Sequence, residues 1–332
     1  MLRFLFAIPP RVAFFAAALF IPQFGHAWTS PLPADEPSAE DTAARIKFAA
    51  DFVADIVFDS NRSGTFGIYT LNPGDGKISA LVDGPQHEMY PAASPDGAWI
   101  AFAKAVSLDR DAYSEVWRVR ADGSDAIRLA THASFPTFSP DGSRIYFERD
   151  RREVHVMNAD GSAPERLFPN EHHPQFNNRF VVKPVISPDT AWIAFTGDIP
   201  NRWNAWMVSR NSGERRKIGA GCEPSWFPDS STVAWVHRGG AHGGSGIYRY
   251  QPTPKESRIP LQDAGAPRGH EYFPTITADG RYLLHSAARN DEHSHNESNY
   301  QLMATDIESG ATVRLTFDRF NNRWPRKLPR KR

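Results

Sequence analysis

Cysteine is nearly absent: Cys222 is the only one in 332 residues, so no disulfide can form within the chain. Stability has to come from burial instead. Neither sign of charge is in excess, since 38 Lys and Arg balance 38 Asp and Glu. That excludes a general nucleic-acid binder, which needs a basic surplus to neutralise phosphates. No apolar run reaches the roughly 20 residues that span a bilayer. Familiar catalytic signatures are missing too. There is no G-x-S-x-G elbow, and "GGAHGGSG" has neither the lysine nor the spacing of a phosphate loop. "QHEMYP" and "GHEYFP" each carry His-Glu, yet neither is H-E-x-x-H, so a helical zinc-protease site is excluded.

What is present begins with an address. "MLRFLFAIPPR" holds Arg3 and Arg11 and no acid, "VAFFAAALFI" follows, and "PQFGHA" ends in small residues. This layout predicts a secretory signal peptide over 1–27, and hence a periplasmic or secreted protein with no membrane-spanning segment after cleavage. Its removal takes the formal charge from 0 to −2. Residues 28–52 read as an N-terminal arm, Pro-rich at first; "SAEDTAARIKFAADF" fits a short helix capped by Ser38 and equally an extended lead-in.

A repeat dominates the rest. "YPAASPDGAWIAF", "FPTFSPDGSRIYF", "KPVISPDTAWIAF", "EPSWFPDSSTVAW" and "FPTITADGRYLLH" share one template, with prolines at 91, 136, 184, 224 and 274. "NRWPRKL" adds Pro325 as a truncated copy. Spacings of 40 to 51 residues, each holding several short β-branched and aromatic segments, predict propeller blades of four strands. The expected fold is all-β: a six-bladed β-propeller of antiparallel blades over 53–329, followed by a basic tail, 330–332. The chain opens on a second strand and ends on a first strand. Pairing of the C-terminal strand with the first blade therefore closes the ring and leaves no free edge at the seam.

The P-x-x-S-P-D-G pattern, followed by I-x-F and later I-Y and L-T segments, resembles the propeller repeats of the TolB family of periplasmic proteins. The resemblance covers about residues 53–329. The α/β domain that precedes the propeller in that family has no counterpart in the some 25 residues available here. The resemblance implies a cell-envelope propeller that engages a protein or ligand near its central channel.

Strand alternation sorts the loops. The tight Pro-Asp-Gly turns share one face of the disc, and the long irregular loops share the other. Four and three residues before the prolines stand His87, Glu88, His132, His270, Glu271, Asn321 and Asn322, expected around the channel mouth on the long-loop face. The partner face predicted from this ring comprises His87, Glu88, His132, Glu271, Asn321 and Arg323, with Trp203 as an exposed loop aromatic. Tyr90, Phe135, Phe273 and Trp324 support the mouth from the inner strands. A monomer is expected, with an envelope protein, a small ligand or a carbohydrate as the partner.

A second cluster, "RNDEHSHNESN", lies beside His270 and suggests a divalent site (Zn, Mn or Ca) on His270, His293 and His295. The alternative reading of the whole is then a metal-assisted carbohydrate lyase or hydrolase working through these His and Glu groups. His285 stands in a strand position that is Phe in four other repeats and Trp in the fifth, which predicts a hydrogen-bonded core histidine.

Overall fold

The computed structural model describes residues 35–330, apart from 110–111, 200–201, 241, 254, 266 and 290. The signal peptide expected over 1–27 lies outside the described residues. The fold is all-β and propeller-like. In four repeats the first and second strands are joined by turns built on one device. In the Ser-Pro-Asp-Gly turn after Ala93, Ser94 Oγ donates to Asp96 Oδ1 at 2.5 Å, and the same oxygen accepts the Ala98 amide at 2.9 Å. Gly97 then takes φ +67°, which a side chain would resist. Ser139 and Asp141, Ser187 and Asp189, and Thr277 and Asp279 repeat the arrangement. The Ser139 hydroxyl and the Ser143 amide hold the Asp141 carboxyl down at about 2.

Each of these turns joins two neighbouring strands of one antiparallel sheet, and three of the sheets have four strands. One joins His87–Ala93, Trp99–Ala105, Ser114–Arg120 and Ile127–Thr131; another joins Ala133–Phe138, Arg144–Arg149, Glu153–Asn158 and Glu165–Phe168. A third joins the two ends of the described chain. Asn322–Pro329 pairs with Ala54–Ser60, Ile56 opposite Lys327 and Asp59 opposite Arg323, and Gly67–Leu71 and Ile78–Val82 follow. The remaining strands form one eleven-stranded sheet. Its continuity comes from the long strand Arg215–Trp226, whose first half pairs with Asn204–Ser209 and whose second half pairs with Val233–Arg238. A single parallel bridge, Ser245 to His270, adds the last four strands.

Six strands share a kink at the residue before their proline. Tyr90, Phe135, Lys183, Glu223, Phe273 and Trp324 all have φ between +48° and +61°, and the pairing register slips around each. A bulge of this kind re-aims one side chain out of the strand's alternation. Here the six side chains are aimed at one another. Tyr90 stacks on Phe135 at 3.9 Å, Trp324 meets Tyr90, Phe135 and Phe273 at 5.4, 5.5 and 4.8 Å, and Lys183 is ion-paired with Glu223. The six first strands therefore converge on one axis, which their own side chains fill.

Outside the sheets, Ala39–Phe52 forms a helix. Ser38 and Asp41 cap it reciprocally, and Phe48 and Phe52 pack against Tyr282 at ring distances of 5.2 and 5.9 Å.

His285 is fully buried, bonded to Thr305 Oγ1 at 3.1 Å, and burial drives its pKa down to about 3. It must stay neutral in the fold while an unfolded histidine gains a proton below about 6.5. Stability is thus lost as pH falls through that value. His285→Phe, the residue type its sister strands carry, should gain about 2 kcal/mol at pH 5 relative to pH 7.5, read from urea unfolding at both pH values. An equal change at the two pH values would contradict this.

Candidate functional site

The glutamates of the His-Glu pairs turn out to clasp their own entering loops. Glu88 is buried, its Oε2 accepting the Gly84 amide at 3.1 Å, and Lys104 lies 3.4 Å from Oε1. Glu271 is equally buried and accepts the Ala264 amide at 2.9 Å. His87 Nδ1 accepts the Phe66 amide at 3.2 Å. A buried amide needs an acceptor: the glutamates supply it where the chain turns into an inner strand, and His87 supplies it where the neighbouring sheet's strand Gly67–Leu71 begins. Of the residues expected to face a partner, Glu88, Glu271, Asn321 and Arg323 are therefore corrected to interior roles. Asn321 bonds the His295 carbonyl at 3.0 Å, and Arg323 is 1% exposed against Asp59. Trp203 is half-buried, its ring 5.7 Å from Phe180. His132 alone of the set stands well out, its side chain 63% exposed.

His270, His293 and His295 do come together, but not around a point. The rings of His270 and His293 stack at 5.0 Å and 20°, and His293 Nε2 is hydrogen-bonded to the Tyr272 hydroxyl at 2.5 Å. Ser245 Oγ meets the same hydroxyl at 2.9 Å. His295 lies 3.9 Å from Glu223, and burial, with Lys183 and Arg323 nearby, holds it well below the usual imidazole range. Among the described residues no group of three or more His, Cys, Asp or Glu is arranged to hold a metal ion. Cys222 is half-buried beside this cluster, and burial pushes its thiol up to about 12, so it is not a thiolate nucleophile.

The open feature of the long-loop face is elsewhere, between the first two sheets described. A cleft of about 330 Å³ lies beside His132, lined by Tyr113, Ser134, Glu148, Asp150, Arg151 and Asn296, among others. Tyr90 and Phe135 close its inner end and separate it from the filled axis. Tyr113 meets the His132 ring edge-on at 5.0 Å, and His132 Nδ1 lies 3.5 Å from Asp150. Asn296 brings the "RNDEHSHNESN" loop to the same cleft, where it accepts from Arg323 at 2.8 Å. Glu148 is the buried member, 2% exposed, with one oxygen accepting the Lys183 amide at 2.9 Å. Burial pushes its pKa up to about 7.

With the converging strands and the cleft in view, comparison with known proteins is informative. TolB of Acinetobacter baumannii superposes with a TM-score of 0.64 at 14% identity, over 84% of this chain and 68% of that one. The fold is that of a TolB-like propeller. A putative TolB of Agrobacterium tumefaciens gives 0.58 at 15% identity, over 83% of this chain and 99% of that one. At such identities the likeness is one of fold alone. In sequence, an uncharacterized protein of Agrobacterium fabrum is 33% identical over 122 residues, 32% of this chain and 40% of the relative. A TolB homolog of Chlorobium chlorochromatii is 28% identical over 152 residues, 43% of this chain and 31% of the relative. The matched stretches thus span less than half of either relative. No protein-family model matches the chain. Within the TolB-like fold, reading the residue just before each proline, instead of three or four earlier, would have found Lys183 and Glu223. Glu148 had a fainter signal, an acid directly after the strand aromatic Phe147, in a place where the neighbouring repeat has Ala103.

Proposed function

We propose that this chain is a non-catalytic interaction module of the cell envelope, seating a segment of another protein in the long-loop cleft beside His132. In this reading the eleven-stranded sheet is three blades, two of which share the strand Arg215–Trp226. The ring is then a closed propeller of six blades, with Asn322–Pro329 completing the blade opened by Ala54–Ser60. The single observation that carries the reading is the cleft itself: a recess walled by Tyr113, Tyr90 and Phe135, on a face whose axis is filled. Aromatic walls and loop-borne polar groups on a rigid scaffold suit recognition of a polypeptide. The signal-peptide pattern of 1–27 and the TolB-like fold support an envelope location. Among the described residues no helix is long and apolar enough to cross a membrane.

A photo-crosslinking residue placed at Tyr113 or at His132 should capture one and the same protein in intact envelopes. At Asp141, in a tight turn at the opposite end of the neighbouring strand, it should not. Equal capture at 141, or none at 113 and 132, would refute the proposal.

A further inference from the structure

The cleft carries more information than its position. Among the described residues its lining charges are unbalanced: Asp109, Glu148 and Asp150 face one guanidinium, that of Arg151. Arg151 and Lys183 act on Glu148 through space, but among the described residues neither is ion-paired with it: the Arg151 guanidinium sits over the Phe180 ring at 5.6 Å, and the Lys183 ammonium is paired with Glu223. Glu148 has one oxygen committed to the Lys183 amide, and among the described residues no donor reaches the other. A carboxylate buried to this degree without a full set of donors is costly, and a cation beside it relieves the cost.

We infer that the cleft receives the ammonium group of a lysine side chain on the partner polypeptide, with Glu148 as its counter-ion. This rests on the interaction reading above and names the chemistry of the partner. Two features select lysine over arginine. Arginine binds best when both carboxylate oxygens are free for its planar fork, and here the backbone holds one of them. Lysine is a compact charge on a long apolar stem, suited to a narrow recess with a single free oxygen at its end. The stem runs past Tyr113, and Tyr90 and Phe135 stand at the inner end, where aromatic rings favour a cation. The exposed Asp150 at the rim adds attraction on approach. A metal ion does not fit, since it needs several converging donors and this cleft offers no such group.

The test uses the full chain with labelled alanine and methionine methyl groups. Met89, Ala105, Ala112 and Ala133 line the cleft and report on its occupancy by NMR. Acetyl-Gly-Lys-Gly-amide should shift these methyls and leave those of the opposite face still. Its Nζ-acetylated form, neutral but otherwise alike, should bind at least about tenfold more weakly, and so should the lysine peptide with Glu148→Gln. Asp150→Asn, at an exposed site where folding is safe, should weaken binding about two- to fivefold. Equal shifts from both peptides, or binding unchanged in both variants, would overturn the inference. The two readings fail separately. Crosslinks at position 113 with no preference for the charged lysine reject only the cation. Charge-dependent peptide binding with no crosslinked protein rejects only the envelope partner.

Discussion

Replacing Arg323 by Met should lower the stability of the protein by about 3–5 kcal/mol, the cost of stranding a buried charge. Arg323 is 1% exposed and its Nε donates to Asp59 Oδ1 at 2.8 Å. Asp59 is itself fully buried, and its other oxygen accepts the Tyr90 amide at 3.0 Å. The guanidinium lies 3.6 Å from the centre of the Phe66 ring and also donates to the His295 carbonyl and to Asn296 Oδ1. One side chain thus ties the C-terminal strand to the first strand, to the next sheet's kink and to the long loop at the cleft. Without it Asp59 keeps a charge in a place from which water is excluded. Burial already pushes the Asp59 pKa upward, and Arg323 opposes that push, so the variant should take up a proton there. The deficit should shrink in acid, and Asp59→Asn in the Arg323→Met background should recover much of it, because Asn still accepts the Tyr90 amide. Urea unfolding of the parent and the two variants tests this; Arg323→Met within about 1 kcal/mol of the parent would contradict it.

The second large effect is a dependence on pH with an unusual sign. Burial raises both Glu148 and Glu271 to about 7, from 4.5 when exposed. Between those values the folded protein holds protons that the unfolded chain has released. Stability contributed by each group is therefore complete below about 4.5, and it is lost as pH rises through about 7, by roughly 3 kcal/mol per group. His285 acts in the opposite direction over part of the same range, so the parent's own profile mixes the two. Comparison with a variant isolates the carboxyl. Glu271→Gln should match the parent at pH 4.5 and be more stable than it at pH 8, the gap opening between the two. Parallel stability curves across that range would show that Glu271 ionises normally in the fold.

The strands were legible because each is bracketed by turn chemistry that admits few alternatives. Ser94, Asp96 and Gly97 form a local device of a few residues, and its recurrence at 139, 187 and 277 sets the period. Side-chain roles were less legible, because they depend on partners far away in the chain. His87, Glu88 and Glu271 stand in a repeated position, which suggested a shared surface. Glu88 and Glu271 each receive a backbone amide from the entering loop, and His87 receives that of Phe66 in the neighbouring sheet. Arg323 reads from sequence as part of the partner face, and nothing near it in sequence announces Asp59, 264 residues away. The ion pair of Lys183 with Glu223 was hidden in a different way. Both precede prolines, a position expected to be extended, whereas the bulge turns them left-handed and inward.

All of these assignments depend on the seam where Asn322–Pro329 pairs with Ala54–Ser60, since that pairing gathers residues 107–109, 112–113, 150–151 and 295–296 on one face. Amide hydrogen exchange measures it directly. The amides of residues 323–328 that face the first strand should exchange as slowly as those of Trp99–Ala105, opening only with the whole fold. Fast exchange along the C-terminal strand, with the other sheets still protected, would mean the ring is not closed there and would contradict the account.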